Sequence, residues 1–144
     1  MPDSITLHYE IDGKDFSAAG DASSSIKKVL SQLGVDPNTI RRVAISMYEA
    51  EINCVIHGGG GFADAIIAPD KIWIGITDHG PGIPDIDLAM QKGYTTATNE
   101  IREMGFGAGM GLPNIKSYSD DFNIKSSIGK GTTVEMTIYN RNDN

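Results

Sequence analysis

The stretch that decides the fold is DPNTIRRVAISMYEAEINCVIHGGGG, residues 36–61. Asp36 is a helix N-cap and Pro37 suits the first helical position, where a missing N–H costs nothing. At 100° per residue Ile40, Val43, Ala44, Met47 and Cys54 fall on one side, which marks the core face. Ser46, Glu49, Asn53 and His57 gather on the other side as a polar stripe. The four glycines at 58–61 then end the helix.

Upstream, residues 5–11 alternate, with Ile5, Leu7, Tyr9 and Ile11 facing one way and Thr6, His8 and Glu10 the other. That is a half-buried strand. A first helix follows Gly20-Asp21, carrying Ile26, Val29, Leu30 and Leu33, and stops at Gly34. Downstream, Ala65–Ala68 and Ile72–Thr77 read as strands around the turn Pro69-Asp70-Lys71. Residues 84–92 suit a short helix and 93–111 a long loop. Leu112–Tyr118 reads as a helix. Phe122–Ser126 and Thr132–Ile138 flank Ile128-Gly129-Lys130-Gly131 as a hairpin. Strands arrive in adjacent pairs, which predicts an α+β two-layer sandwich. Its sheet is mixed and mostly antiparallel, with the helices on one face. The chain is read as one domain over residues 1–144.

Composition narrows the function. Hydrophobic residues make up 40% and charged residues 22% of the 144, as in ordinary globular proteins. A net charge of −7 argues against nucleic acid or an anionic membrane as the main partner. One cysteine, Cys54, precludes an internal disulfide and suits a reducing cytoplasm. Neither a secretory leader nor a run of ~18 apolar residues is present, so a cytoplasmic location is expected.

Three patterns carry chemistry. Gly105, Gly107, Gly109 and Gly111 alternate just before a helix, where bare backbone N–H groups and the helix N-terminus suit phosphate. The loop lacks the Gly-Lys-Ser/Thr ending of a Walker A motif, and it does not follow the first strand as a dinucleotide fingerprint would. A flexible linker is the plainer reading of such glycines. Asp78 ends a strand and is followed by Gly80-Pro81-Gly82. A carboxylate there suits an exocyclic amine such as that of adenine, although a tight turn uses the same residues. Glu49 and Asn53, four apart, share a helix face. Asn offers an oxygen to Mg²⁺, and Glu49 is placed to act on a nucleophile. An isolated Glu-x-x-x-Asn is more often a solvated face, and a lone His57 is more often structural.

Together, Glu49-Ala50-Glu51-Ile52-Asn53, Asp78-His79-Gly80-Pro81-Gly82-Ile83, Gly107-Ala108-Gly109-Met110-Gly111-Leu112 and Gly129-Lys130-Gly131-Thr132 resemble the N, G1, G2 and G3 boxes of the GHKL (Bergerat) ATPase superfamily. The resemblance covers roughly residues 40–138 and is strongest to the anti-sigma-factor serine/threonine kinases of bacterial partner-switching systems. It implies ATP and Mg²⁺ as cofactors. Asn53 would hold the metal, Asp78 would take the adenine amine, and His57, Gly80, Gly82, Ile83 and Thr132 would line the base pocket. Thr96, Gly107, Gly109, Met110, Gly111 and Leu112 would belong to the lid and phosphate wrap, and Glu49 would be the catalytic base. Glu51, rotated about 200° from Glu49 on a helix, is expected on the packed side. Arg102 is read as a solvated lid residue. The implied partners are a small antagonist protein of anti-anti-sigma type and a sigma factor, with a homodimer as a further possibility. Two alternatives stand beside the kinase. One is an ATP-dependent partner-switching module with little or no phosphotransfer. The other is a detached histidine-kinase catalytic domain.

Overall fold

The computed structural model describes residues 4–14, 18–83, 90 and 111–140. Its elements run β1 Ile5–Asp12, α1 Asp21–Gln32, α2 Pro37–Gly58, β2 Gly60–Ile67, β3 Lys71–Asp78, α3 Gly111–Tyr118, β4 Asp121–Ser127 and β5 Gly131–Tyr139. The expected short helix over 84–92 and the loop over 93–111, apart from residues 90 and 111, lie outside the described residues.

The five strands form one sheet in the order β1-β2-β3-β5-β4, and every pairing is antiparallel. Alternation decides which face is wet. Leu7, Ala65, Ile74, Met136 and Phe122 form one cross-strand row, and Tyr9, Ala63, Ile76, Val134 and Ile124 the next. These rows build the core with Ile26 and Leu30 of α1, Val43, Met47 and Cys54 of α2, and Ile115 of α3. Each fully buried Ile or Leu contributes roughly 1.5–3 kcal/mol. Helix α2 lies between α1 and α3 over this face, as the sandwich reading expects.

The start of α2 is as the sequence indicates. The Asp36 carboxylate accepts from the N–H groups of Asn38 and Thr39 at 3.1 and 3.2 Å, and Pro37 occupies the first turn. At the far end Gly59 takes φ +69 and closes the helix. Strand β2 starts earlier than the expected Ala65, inside the glycine run. Glycine is a poor strand former, but here the partner strand passes too close for a side chain. A Cβ on Gly61 would lie 1.9 Å from the Thr77 carbonyl oxygen.

Two residues of α2 depart from a simple two-sided reading. Ser46, placed on the polar stripe, is fully buried, and its Oγ has no hydrogen-bond partner among the described residues. Helix α3 packs against α2. Glu51 is 2% exposed, on the packed side as expected, and it has a structural task. Its carboxylate accepts three backbone N–H groups, from Gly20, Ala22 and Ser23, at 2.9–3.1 Å. Gly20, the N-cap of α1, has no side chain to do this. A carboxylate from α2 therefore caps α1 and complements its N-terminal partial charge.

Candidate functional site

Strand β3 ends at Asp78, on the same face as the buried Ile72, Ile74 and Ile76. A carboxylate here meets the C-terminal turn of α2 rather than more core. Its Oδ1 accepts from the Gly80 N–H at 2.9 Å and the Thr132 N–H at 3.1 Å. Two backbone donors fix the plane of the group, and Oδ2 has no hydrogen-bond partner among the described residues. The carboxylate rests on Gly58, where a Cβ would lie 2.2 Å from the Asp78 Cβ and 2.7 Å from Oδ2. A Cβ on Gly80 would lie 2.7 Å from the Gly58 Cα. Helix end and loop thus touch backbone to backbone, which only glycines allow.

The turn after Asp78 is tied to the β4–β5 hairpin. The Gly129 N–H donates to the Pro81 carbonyl at 2.8 Å. The Ile83 N–H donates to Ser126 Oγ at 2.7 Å, and Ser126 Oγ lies 2.8 Å from Thr132 Oγ1. Thr132 is 7% exposed, so its hydroxyl is committed to this network.

Along α2, Glu49, Asn53 and His57 are half-buried and follow one another at four-residue steps, each a rise of ~6 Å toward Asp78. Burial holds the His57 pKa below the ordinary histidine value, opposed by the charge of Asp78. The imidazole is therefore neutral at neutral pH. Cys54 is pushed up to about 12 by burial and by the charges of Asp78 and Glu51, so its thiol stays protonated and unreactive. Glu49 lines an open groove of about 320 Å³ between α1 and α2, with Ser23, Ser24, Lys27, Ile45 and Tyr48 among the other walls.

Asp78, Gly80, Ile83 and Thr132, all indicated by the sequence, converge with Gly82, where a Cβ would meet the Ser127 carbonyl oxygen at 2.5 Å. Glu49, Asn53 and His57 lie on one face of the helix that ends there. Gly111 opens α3, and Leu112 packs partly buried against the core. Thr96, Gly107, Gly109 and Met110 lie outside the described residues. Gly58 and Ser126 were not singled out from sequence. Gly58 reads only as a helix stop, and Ser126 as one polar residue in a strand. The shared inward parity of Ser126, Thr132 and Asp78 was the available signal. An adenine nucleotide fits this arrangement. The fixed carboxylate offers an acceptor to an exocyclic amine, and the glycines leave backbone where side chains would obstruct a flat ring.

These features define an ATP-binding domain of α+β sandwich type. Residues 15–138 match the family model described as histidine kinase-like ATPase domain. The anti-sigma F factor of Thermoanaerobacter sp. (strain X514) is 36% identical over 123 residues, 82% of each chain. The serine/threonine-protein kinase RsbT of Bacillus subtilis (strain 168) is 29% identical over 119 residues, 80% of this chain and 84% of that one. Among solved structures, the RsbU and RsbW domains of Rv1364c from Mycobacterium tuberculosis superpose with a TM-score of 0.66 at 20% identity, over 96% of this chain and 33% of that longer one, which supports the fold. The chain belongs to the histidine kinase-like ATPase domain family, and its relatives include the anti-sigma F factors and RsbT. Among the described residues no helix is long and apolar enough to cross a membrane.

Proposed function

We propose that this protein transfers the γ-phosphoryl group of ATP to a serine or threonine of a small antagonist protein of anti-anti-sigma type, and that it binds a sigma factor or similar regulator as its other partner. The observation that carries this reading is the fixed Asp78 carboxylate, reached by the same helix that bears Glu49 and Asn53. In this reading Asp78 takes the adenine amine, while His57, Gly80, Gly82, Ile83 and Thr132 bound the base. Asn53 holds Mg²⁺, an ion that keeps most of its waters and asks few protein ligands. When bound, Mg²⁺ supplies charge neutralisation at the phosphates. Thr96, Gly107, Gly109, Met110, Gly111 and Leu112 serve the lid and phosphates. Glu49, open to the α1–α2 groove, accepts the proton of the attacking hydroxyl. A cytoplasmic location suits both the ATP supply and a regulator of transcription.

The test is label transfer from γ-labelled ATP with Mg²⁺ to the antagonist protein, run beside calorimetric titration of ATP. Wild type binds ATP and labels the antagonist, whereas Glu49→Gln binds ATP almost as well and transfers ~10²-fold or more slowly. Transfer by Glu49→Gln at the wild-type rate removes Glu49 as the base. Binding without transfer by wild type leaves a nucleotide-dependent switch in place of a kinase.

A further inference from the structure

One buried hydroxyl is left over by the fold. Ser46 of α2 is fully buried, and its Oγ has no hydrogen-bond partner among the described residues. A helical serine can donate to the carbonyl four residues back, and this one does not. A hydroxyl stripped of water and given no partner costs stability, and native structures keep few of them. Alanine would occupy the same place without that cost, and it is the better helix former. The hydroxyl therefore has no structural task in this conformation, which points to a partner met in another.

Helix geometry narrows the choice of partner. The residues three and four positions either side of Ser46 are Arg42, Val43, Glu49 and Ala50. Glu49 alone among them has a side-chain acceptor. Long helical side chains lean toward the N-terminus, over the residues three and four positions back. For Glu49 these are Ser46 and Ile45. In this structure Glu49 borders the α1–α2 groove together with Ile45, and Lys27 of α1 is the cation among the other walls. Ser46 flanks Glu49 on the opposite side from that groove wall, about 100° from Ile45 around the axis. Asn53 follows Ser46 by seven residues, so it stands only about 20° from the same line. Rotation about the Glu49 side-chain bonds carries its carboxylate from the Ile45 side to the Ser46 side, within the reach of neighbours three apart.

We propose that Ser46 is a positioning residue for Glu49, its hydroxyl donating to the carboxylate when that side chain turns from the α1–α2 groove to the Asn53 side of α2. This rests on the reading of Glu49 as the base and of Asn53 as the holder of Mg²⁺. The carboxylate then has two stations. In the groove, beside Lys27, it is open to an acceptor protein. On the Ser46 line it stands on the side where the phosphates would lie. Ser46 touches neither nucleotide nor acceptor and works through Glu49.

The experiment is a carbon-13 NMR titration of the glutamate carboxyls in protein saturated with Mg²⁺ and a non-hydrolysable ATP analogue, with thermal melting of the free protein in parallel. The Glu49 signal is identified by its loss in Glu49→Gln. In Ser46→Ala the Glu49 midpoint rises by about one pH unit, because the charged form loses a donor. The melting temperature holds or rises, because the free protein loses an unpaired hydroxyl and no bond. An unmoved midpoint overturns the proposal, and a lowered melting temperature beside it marks Ser46 as structural. If Ser46→Ala does not fold, the crystal structure of wild type with Mg²⁺ and the same analogue decides. Ser46 Oγ within about 3 Å of the Glu49 carboxylate supports the proposal, and Glu49 still turned to the groove overturns it. Failure of the analogue to bind removes the nucleotide reading and the proposal with it. Label transfer by Glu49→Gln at the wild-type rate removes the base reading alone, so the two failures are distinct.

Discussion

The two ends of the site are built differently. At the end of β3, Asp78 is held by two backbone N–H groups, rests on Gly58 and adjoins a hydroxyl network. Midway along α2, Glu49 faces an open groove with a lysine and two serines among its walls. The first end is fixed before any ligand arrives, which keeps reorganisation on binding small. The second is left accessible, as a group must be if it is to meet a hydroxyl carried on another protein. In the proposed reading, recognition is built from backbone, and chemistry from a side chain that a partner completes.

Substitutions can separate the two ends. The largest effect belongs to the open end, where Glu49→Gln lowers phosphotransfer by ~10²-fold or more with ATP affinity nearly intact, read by label transfer and calorimetry. At the fixed end Asp78→Asn removes the charge of the acceptor and weakens ATP binding by roughly 10- to 100-fold, the scale of a charge-assisted hydrogen bond, in the same titration. Equal loss of binding in both variants would erase the distinction. Glu51→Ala is expected to lie outside both ends. Three N–H groups at the start of α1 lose their acceptor, and stability falls by about 2 kcal/mol or more in urea unfolding, with ATP affinity of the folded protein little changed.

The smallest expected effect is a pH dependence. Burial keeps the folded-state pKa of His57 below its ordinary value. Above that ordinary value His57 is neutral in both states and contributes no slope. As pH falls below it, the unfolded chain takes the proton first, and stability declines until the folded state titrates too. His57→Asn should therefore lose less stability than wild type between about pH 7.5 and about pH 5.5 in urea midpoints. His8 has its pKa raised by its hydrogen bond to Asp64, so its contribution is present at low pH and fades as pH rises. Because His8 is common to both proteins, it cancels in the comparison.

Much of the fold was legible because local signals agreed. Asp36-Pro37 announced α2, and alternation in residues 5–11 announced β1. Antiparallel pairing followed from the pairwise arrival of strands. The start of β2 was not legible, since glycine reads as turn and only the nearness of Thr77 explains its use in a strand. The burial of Ser46 is a tertiary fact that helical periodicity does not contain. In the site, Asp78 and Thr132 stood out through their motifs. Gly58 and Ser126 were hidden because their importance lies in what touches them from elsewhere in the chain. Glu51 was correctly turned inward by helical geometry, but its three acceptor bonds depend on α1 arriving from 28 to 31 residues away.

The contact between Gly58 and Gly80 has a mechanical consequence. Side chains between two packed elements act as a cushion, since rotamers absorb small displacements. Here no such layer exists, so a tilt of α2 would bear directly on the loop after Asp78. With Asp78 as the proposed base acceptor, helix orientation and nucleotide affinity would be coupled through this contact. A protein pressing on the exposed surface of α2 would be felt by the nucleotide, and nucleotide exchange would in turn alter the surface that the protein reads.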